Sequence, residues 1–340
     1  MNIVSVKAKL VVGAVLAFLI VLSSILVIRC IIAPTSSKEV ILQREWTANA
    51  EYAGDVWASK IGQENGFHLL VKEGSELLDP VRVVRAGSAH FGVASADRIL
   101  QENEGGAGLV VIASATFKTP VVFLSRKESG IRTPKDFVGK RVGIQAGTNT
   151  ELVFKAIINA TDINQDQIRV VESGWGIQTF LNKDIDVLGA FDYDETIQLD
   201  MQNIEYNIIM PEDYGVNYVG TVYFTRKNLI TENPKLIQDF LDYLVLGWQK
   251  TIKNPEEAMK ILTAYKSEIN VPKEKKSLIR GIKYFQGENN FLLYSSKERW
   301  NSMAESLVKL GRLKSFNYQS NIDYSFLEIA LAKLKDTKHD

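Results

Sequence analysis

The sequence predicts an α/β protein of two lobes, with an N-terminal transmembrane helix and a helical C-terminal layer. Three observations predict it. An uncharged apolar run fills residues 10–28, strand-length apolar runs alternate with helix-period segments between residues 40 and 225, and from Pro234 onward the pattern is helical. The 340 residues suffice for about two domains.

The first element is the run LVVGAVLAFLIVLSSILVI, Leu10 to Ile28, bracketed by Lys7 and Lys9 before it and Arg29 after it. As a helix it spans roughly 29 Å, enough for a bilayer core. A cleaved signal peptide has a shorter apolar core and a small-residue cleavage site, whereas here Ala33 is followed at once by Pro34. Arg29 stands before Cys30, where lipid attachment requires a small residue. The segment 1–33 is therefore read as an uncleaved signal anchor. Lys7 and Lys9 keep their side in the cytoplasm, which puts the body in the periplasm or at the cell exterior, tethered to the cytoplasmic membrane.

The body begins after a short linker. Val40–Trp46 predicts a strand, Gly54–Gln63 a helix, Phe67–Lys72 a strand, Pro80–Ala86 a short helix and His90–Ala94 a strand. Ser95 is placed to cap a helix over Ala96–Glu102. Leu109–Ala115 and Val121–Ser125 predict buried strands. A second series opens at Thr133-Pro134, a cap followed by proline at the first helical position, and Gly139 ends that short helix. Strands follow at Arg141–Ile144, Ile168–Val171, Val187–Ala190, Ile204–Met210 and Tyr218–Thr225, separated by helices at Thr150–Ala160, Ile177–Asn182 and Thr196–Met201. This alternation implies parallel or mixed sheets covered by helices. The C-terminal helices fall at Leu236–Thr251, Pro255–Tyr265, Lys273–Phe285, Lys297–Leu310 and Tyr324–Leu334.

Composition excludes several function classes. Forty basic residues balance forty acidic ones. The three basic residues before Pro34 leave 37 basic against 40 acidic in the body, a mildly acidic surface with nothing to offer a nucleic acid. The one cysteine, Cys30, rules out a disulfide framework and Cys-based metal sites, and His68, His90 and His339 show no metal-ligand spacing. No cofactor or metal is expected.

Three runs carry a family resemblance: GSAHFGVASADRIL (87–100), VVFLSRKESGIRTPKDFVGKRVGIQAGTNTE (121–151) and AFDYDETIQL (190–199). The chain resembles the extracytoplasmic solute-binding proteins of ABC importers, in the group of nitrate, sulfonate, taurine and thiamine-pyrimidine binders. The segment around Ser129-Gly130-Ile131, Thr133-Pro134, Asp136, Gly139-Lys140 and Val142-Gly143 carries most of it. The resemblance implies a two-lobed, type II periplasmic-binding-protein fold that closes on one small molecule. It implies hinge crossings near Ser125–Glu128 and Val222–Arg226, hence lobe one at 38–124 plus 227–340 and lobe two at 125–226. A small-molecule ligand and an ABC permease are the implied partners, alongside the membrane reached by the N-terminal helix. The eukaryotic relatives of the thiamine-pyrimidine group are enzymes that use their own histidine and a cysteine-rich motif, which this chain lacks.

Ligands in open α/β sheets bind beyond the C-terminal strand ends, and the candidates follow from that. Trp46, Asn49 and Tyr52 follow the first strand, where aromatics stack and an amide orients, although Trp46 also suits a plug on lobe one. Ser95 and Asp97 follow the third strand, with helix capping and dipole matching as the alternative roles. Thr116 follows the fourth strand. Gly147-Thr148-Asn149-Thr150 turns into a helix N-terminus whose free N–H groups suit anionic or carbonyl atoms, and Glu151 weakens that pull. Trp175 stands between Gly174 and Gly176. Asp192, Asp194 and Glu195 at a strand end suit an amine, amidine or protonated ring nitrogen, or else simply start a helix. Tyr218 and Tyr223 read mainly as core. Acidic and anion-friendly features together favour a zwitterion or an aminopyrimidine over nitrate. The expected function is a non-catalytic binding protein for a small polar or heteroaromatic nitrogen or sulfur compound, delivering it to an importer. A membrane-tethered ligand sensor built on the same fold is the alternative.

Overall fold

Among the described residues, ten strands sort into two five-stranded mixed sheets. They are β1 (Val40–Gln43), β2 (Leu69–Lys72), β3 (Phe91–Ser95), β4 (Leu109–Ser114), β5 (Val121–Arg126), β6 (Arg141–Ile144), β7 (Arg169–Glu172), β8 (Val187–Phe191), β9 (Tyr206–Ile209) and β10 (Thr221–Arg226). The first sheet has the order β2-β1-β3-β10-β4 and the second β7-β6-β8-β5-β9. The structure, a computed structural model, describes residues 39–75, 77–289 and 291–336. The expected membrane segment lies outside them. Among the described residues no helix is long and apolar enough to cross a membrane.

Within each sheet most strands are parallel, and one runs against its neighbours. β1 is parallel to β2 and β3, while β10 is antiparallel to both β3 and β4. β6 is parallel to β7 and β8, while β5 is antiparallel to β8 and β9. The odd strand in each case is the one that enters directly after the chain changes sheets. β5 therefore belongs to the second sheet and β10 to the first. The crossings fall at residues 115–120 and 210–220, earlier than the 125–128 and 222–226 expected. The displacement has a simple cause: both strands are buried along most of their length and read equally well on either side of a boundary, and only their pairing decides.

Central strands are buried on both faces because helices cover both. β4 has no exposed residue, which is why its sequence, Leu-Val-Val-Ile-Ala-Ser, shows no alternation. The C-terminal helices pack on the first sheet. Phe91 of β3 stacks on Phe240 with ring centroids 3.8 Å apart. Asparagines set where these helices start: Asn233 and Asn270 accept the N–H groups of Leu236 and Lys273, each just ahead of a proline in the first turn. Short helices at Lys227–Glu232 and Tyr318–Asn321 carry too few apolar positions to show a period in the sequence.

One close approach positions the region below the site. Helices Ala53–Glu64 and Pro234–Lys253 meet at two glycines. A Cβ on Gly247 would lie 2.3 Å from the Gly54 carbonyl oxygen, and one on Gly54 would lie 2.1 Å from the Trp248 ring. That contact brings the Trp248 indole N–H to the Tyr223 hydroxyl at 2.7 Å. Gly54→Ala adds one methyl where backbone and indole leave no space. It is expected to destabilise the fold by about 1–3 kcal/mol despite alanine's better helix propensity. Denaturant unfolding measures this, and an unchanged or raised midpoint would refute the packing account.

Candidate ligand-binding cleft

The C-terminal ends of parallel strands from both sheets carry the candidate groups. After β1 come Arg44, Glu45 and Trp46, and β3 ends at Ser95. From the second sheet, β6 leads into the turn at 145–148 and β8 into Asp192. The two sheets contribute residues that touch each other. The Trp46 and Trp175 rings lie 4.9 Å apart, inclined at 46°. The Asn149 amide donates to Asp97 at 2.7 Å, and the Tyr193 hydroxyl donates to Glu51 at 2.6 Å.

Trp175 reaches its partner because of its flanks. Gly174 and Gly176 adopt φ of +62° and +79°, left-handed values that let the loop turn sharply on each side of the ring. Trp175 stays 53% exposed, so one ring face is open although the other meets Trp46. Trp46 is anchored through its carbonyl, which accepts the Gly74 N–H at 2.8 Å and also the Tyr52 hydroxyl.

The floor on the first-sheet side is charged. Arg44 is buried and pairs with Asp55 at 2.7 Å and Glu51 at 3.2 Å, with its guanidinium 4.5 Å above the Tyr52 ring. Burial opposes the Arg44 charge, but Asp55, Tyr223, Tyr52 and Glu51 outweigh it and hold the guanidinium protonated. Asp55 also accepts from Tyr223 and, at 3.3 Å, from the Trp248 indole. Beside this cluster, burial and the negative charge of Glu51 push the Glu45 carboxyl up to about 8. Burial likewise raises Asp97, although Asn149 and Ser95 donate to it.

The second-sheet side differs from the sequence expectation. The turn into helix Asn149–Ala160 does present N–H groups, and the chain's own carboxylates take the first two of them, those of Ala146 and Gly147. Glu172 accepts from Ala146 at 3.0 Å and Glu151 from Gly147 at 2.7 Å. The Thr148 hydroxyl turns back to the Gln145 carbonyl at 2.7 Å. Asn149 is held by Thr119 at 3.3 Å as well as by Asp97. Glu195 accepts the Phe191 N–H at 2.8 Å, and burial with the neighbouring Asp194 raises its carboxyl to about 7.

Of the predicted residues, the structure brings Trp46, Ser95, Asn149 and Trp175 to the junction of the lobes, with Thr148 at its edge. It gives the others partners within the chain. Asn49 caps the short helix Ala50–Tyr52 by accepting the Glu51 N–H at 2.9 Å. Tyr52 is fully buried under Arg44. Thr116 is buried and accepts the Thr221 N–H at 2.7 Å, next to Gly220, where any side chain would strike it. Thr150 is buried against Gly189. Asp192 accepts from the Tyr284 hydroxyl at 2.7 Å and contacts Lys283, and Asp194 meets Lys273 at 2.5 Å. Glu45, Glu51 and Tyr193 were not singled out. Their signal was position: a charged pair, Arg44-Glu45, right after β1, a glutamate in the first turn after Asn49, and a tyrosine between two aspartates at the end of β8.

Comparison with known proteins is consistent with this architecture. Residues 49–258 match the family model described as NMT1/THI5 like. The chain belongs to this family. A 4-amino-5-hydroxymethyl-2-methylpyrimidine phosphate synthase of Legionella pneumophila is 23% identical over 252 residues, covering 72% of this chain and 79% of that protein. A formylaminopyrimidine-binding protein of Halalkalibacterium halodurans is 23% identical over 242 residues, covering 69% and 72%. Among solved structures, the periplasmic aliphatic sulphonate binding protein SsuA of Escherichia coli superimposes with a TM-score of 0.66 at 14% identity, covering 82% of this chain and 90% of that one. That likeness places the fold with the type II periplasmic binding proteins.

The raised Glu45 carboxyl makes stability depend on pH with a definite sign. An unfolded glutamate releases its proton near 4.5, while folded Glu45 holds it to about 8. Its contribution is present below 4.5 and is lost as pH climbs to 8. Melting of the ligand-free chain is expected to fall between pH 5.5 and 8.5, and Glu45→Gln to fall less, the remainder coming from Glu195 and Asp97. Parallel pH profiles for the two proteins would remove Glu45 from this role.

Proposed function

We propose that the chain is the extracytoplasmic solute-binding subunit of an ABC importer, taking a small nitrogen-containing heteroaromatic compound between its two lobes. The observation that carries this reading is that strand ends of both sheets meet in one aromatic and acidic junction, Trp46 against Trp175 over Glu45, Glu51 and Asp97. Ligand binding shifts an equilibrium between open and closed lobes, and the closed form is what the permease engages. Delivery from the membrane surface by the tethering segment at 10–28 belongs to the same proposal.

Charge selects the ligand class. Glu172 and Glu151 accept the Ala146 and Gly147 N–H groups and place two carboxylates beside the helix N-terminus, where they repel an oxyanion. The junction itself offers a ligand carboxyl oxygens and the negative face of two indoles, both of which attract amino groups, and the carboxyls that are ionised attract protonated ring nitrogens as well. An aminopyrimidine fits this set, in line with the compound for which the H. halodurans relative is named. An aliphatic sulfonate does not.

Turnover is not part of the proposal, although one relative is named a synthase. His90 accepts the Ile41 N–H through Nδ1 at 3.1 Å at the N-terminal end of β3, and His68 precedes β2 at the same sheet end. Ser95, at the cleft, lies roughly 16 Å further along β3. These two imidazoles therefore stand at the far edge from the cleft.

Thermal shift of the full chain in detergent tests the class. Formylaminopyrimidine or 4-amino-5-hydroxymethyl-2-methylpyrimidine is expected to raise the melting temperature, and aliphatic sulfonates are not. Trp175→Ala, at a ring half open to solvent, is expected to fold normally and weaken binding about tenfold. A shift produced by sulfonates alone would overturn the ligand class, and no shift with any of these compounds would count against the binding role.

A further inference from the structure

Outside the cleft, one helix carries an ordered set of charges to the opposite lobe. Helix Val271–Phe285 packs with the C-terminal helices on the first-sheet side, and Glu274 within it accepts the Ala50 N–H at 2.7 Å. Its cations reach across to the segment that follows β8. Lys273 pairs with Asp194 at 2.5 Å, Arg280 pairs with Asp200 at 2.7 Å, and Lys283 pairs with Asp192, which also accepts the Tyr284 hydroxyl at 2.7 Å.

The spacing explains why all of them can act together. Lys273, Arg280 and Tyr284 are separated by seven and four residues, close to whole turns, so they share one edge of the helix. Their partners Asp192, Asp194 and Asp200 lie in one short stretch ending within helix Glu195–Met201. Every pair joins the first-sheet side to the second. Lys273 also contacts Glu274 at 3.1 Å, and Arg280 approaches the Tyr206 hydroxyl at 3.4 Å. These contacts orient the cations without replacing their interlobe partners.

We propose that helix Val271–Phe285 is an electrostatic strap that holds the lobes closed from outside the cleft. Resting on the reading of a hinged binding protein, it makes affinity depend on ionic strength even for an uncharged ligand. Each pair is partly exposed, so each is individually weak and screened by salt. Three pairs on one rigid helix close and open together with the lobes, and their small contributions add in the closed state only. The cleft residues then determine which ligand binds, and the strap determines how far the empty protein already leans toward closure.

Interlobe distance in the ligand-free full chain tests this without any ligand. Spin labels at Lys60→Cys and Lys140→Cys, in a chain carrying Cys30→Ser, report one exposed position on each lobe. Raising salt from about 0.05 M to about 1 M is expected to move the open-to-closed ratio about tenfold toward open. Lys273→Met with Arg280→Met, which leaves only the Lys283–Asp192 pair, is expected to open the chain at low salt and to reduce the salt response to about a third. The exchange Arg280→Asp with Asp200→Arg is expected to restore the short distance, which separates loss of the strap from misfolding. A distance distribution unchanged by salt and by the double methionine variant would overturn the strap. That outcome would leave the ligand-binding proposal standing, because ligand-induced melting shifts are read independently.

Discussion

Arg44 is a positive charge buried beneath the cleft, and much of the surrounding structure is arranged to keep it paired. A buried ion without partners is costly, and removing one member of a buried pair costs about 3–5 kcal/mol. Here the partners come from successive elements. Glu51 lies in the short helix after the cleft loop, Asp55 in helix Ala53–Glu64, and the Tyr52 ring lies beneath the guanidinium. Asp55 passes the constraint onward to Tyr223 of β10 and to Trp248 of the C-terminal layer. The strand that returns from the second lobe, the cleft floor and the helical layer are thus joined through one carboxylate.

Glu51 is the point where this buried network meets the other lobe. One of its oxygens faces Arg44 and the other accepts the Tyr193 hydroxyl. Burial raises its carboxyl, while Arg44 and Tyr193 act to keep it ionised. Its set of partners is complete because each side of the carboxylate is met from a different sheet's residues. Asp97 has the same relation to Asn149. The first lobe thus supplies the carboxylates and the second the donors Tyr193 and Asn149, so the hydrogen bonds of the floor span both lobes.

How much of this was legible in the sequence follows from range. Helix Pro255–Tyr265 and strand Arg141–Ile144 were legible to the residue, because a proline cap and a short apolar run are local signals. The sheet membership of β5 and β10 was not, since it is settled by pairing across the chain. Site residues divided in the same way. Trp46 and Trp175 showed themselves as aromatics in bare loops. Asp192 and Asp194 looked like ligand groups because nothing near them in sequence reveals Lys283 and Lys273, some eighty to ninety residues later. The carboxylate that Glu172 brings to Ala146, just before the helix turn at 147–150, was hidden for the same reason, as it comes from another strand. Arg44 was passed over because it follows a strand of apolar character and its purpose lies entirely in its partners.

The central claim is that two closing lobes enclose a small molecule bearing a basic or amino nitrogen, held by aromatic faces and carboxylates. Native mass spectrometry of the full chain purified from cells without added ligand tests it most directly. The account predicts a non-covalent adduct, released on activation, whose mass and fragmentation identify a nitrogen heteroaromatic. A sulfonate or other anion in its place, or a modification bonded covalently to the chain, would contradict it.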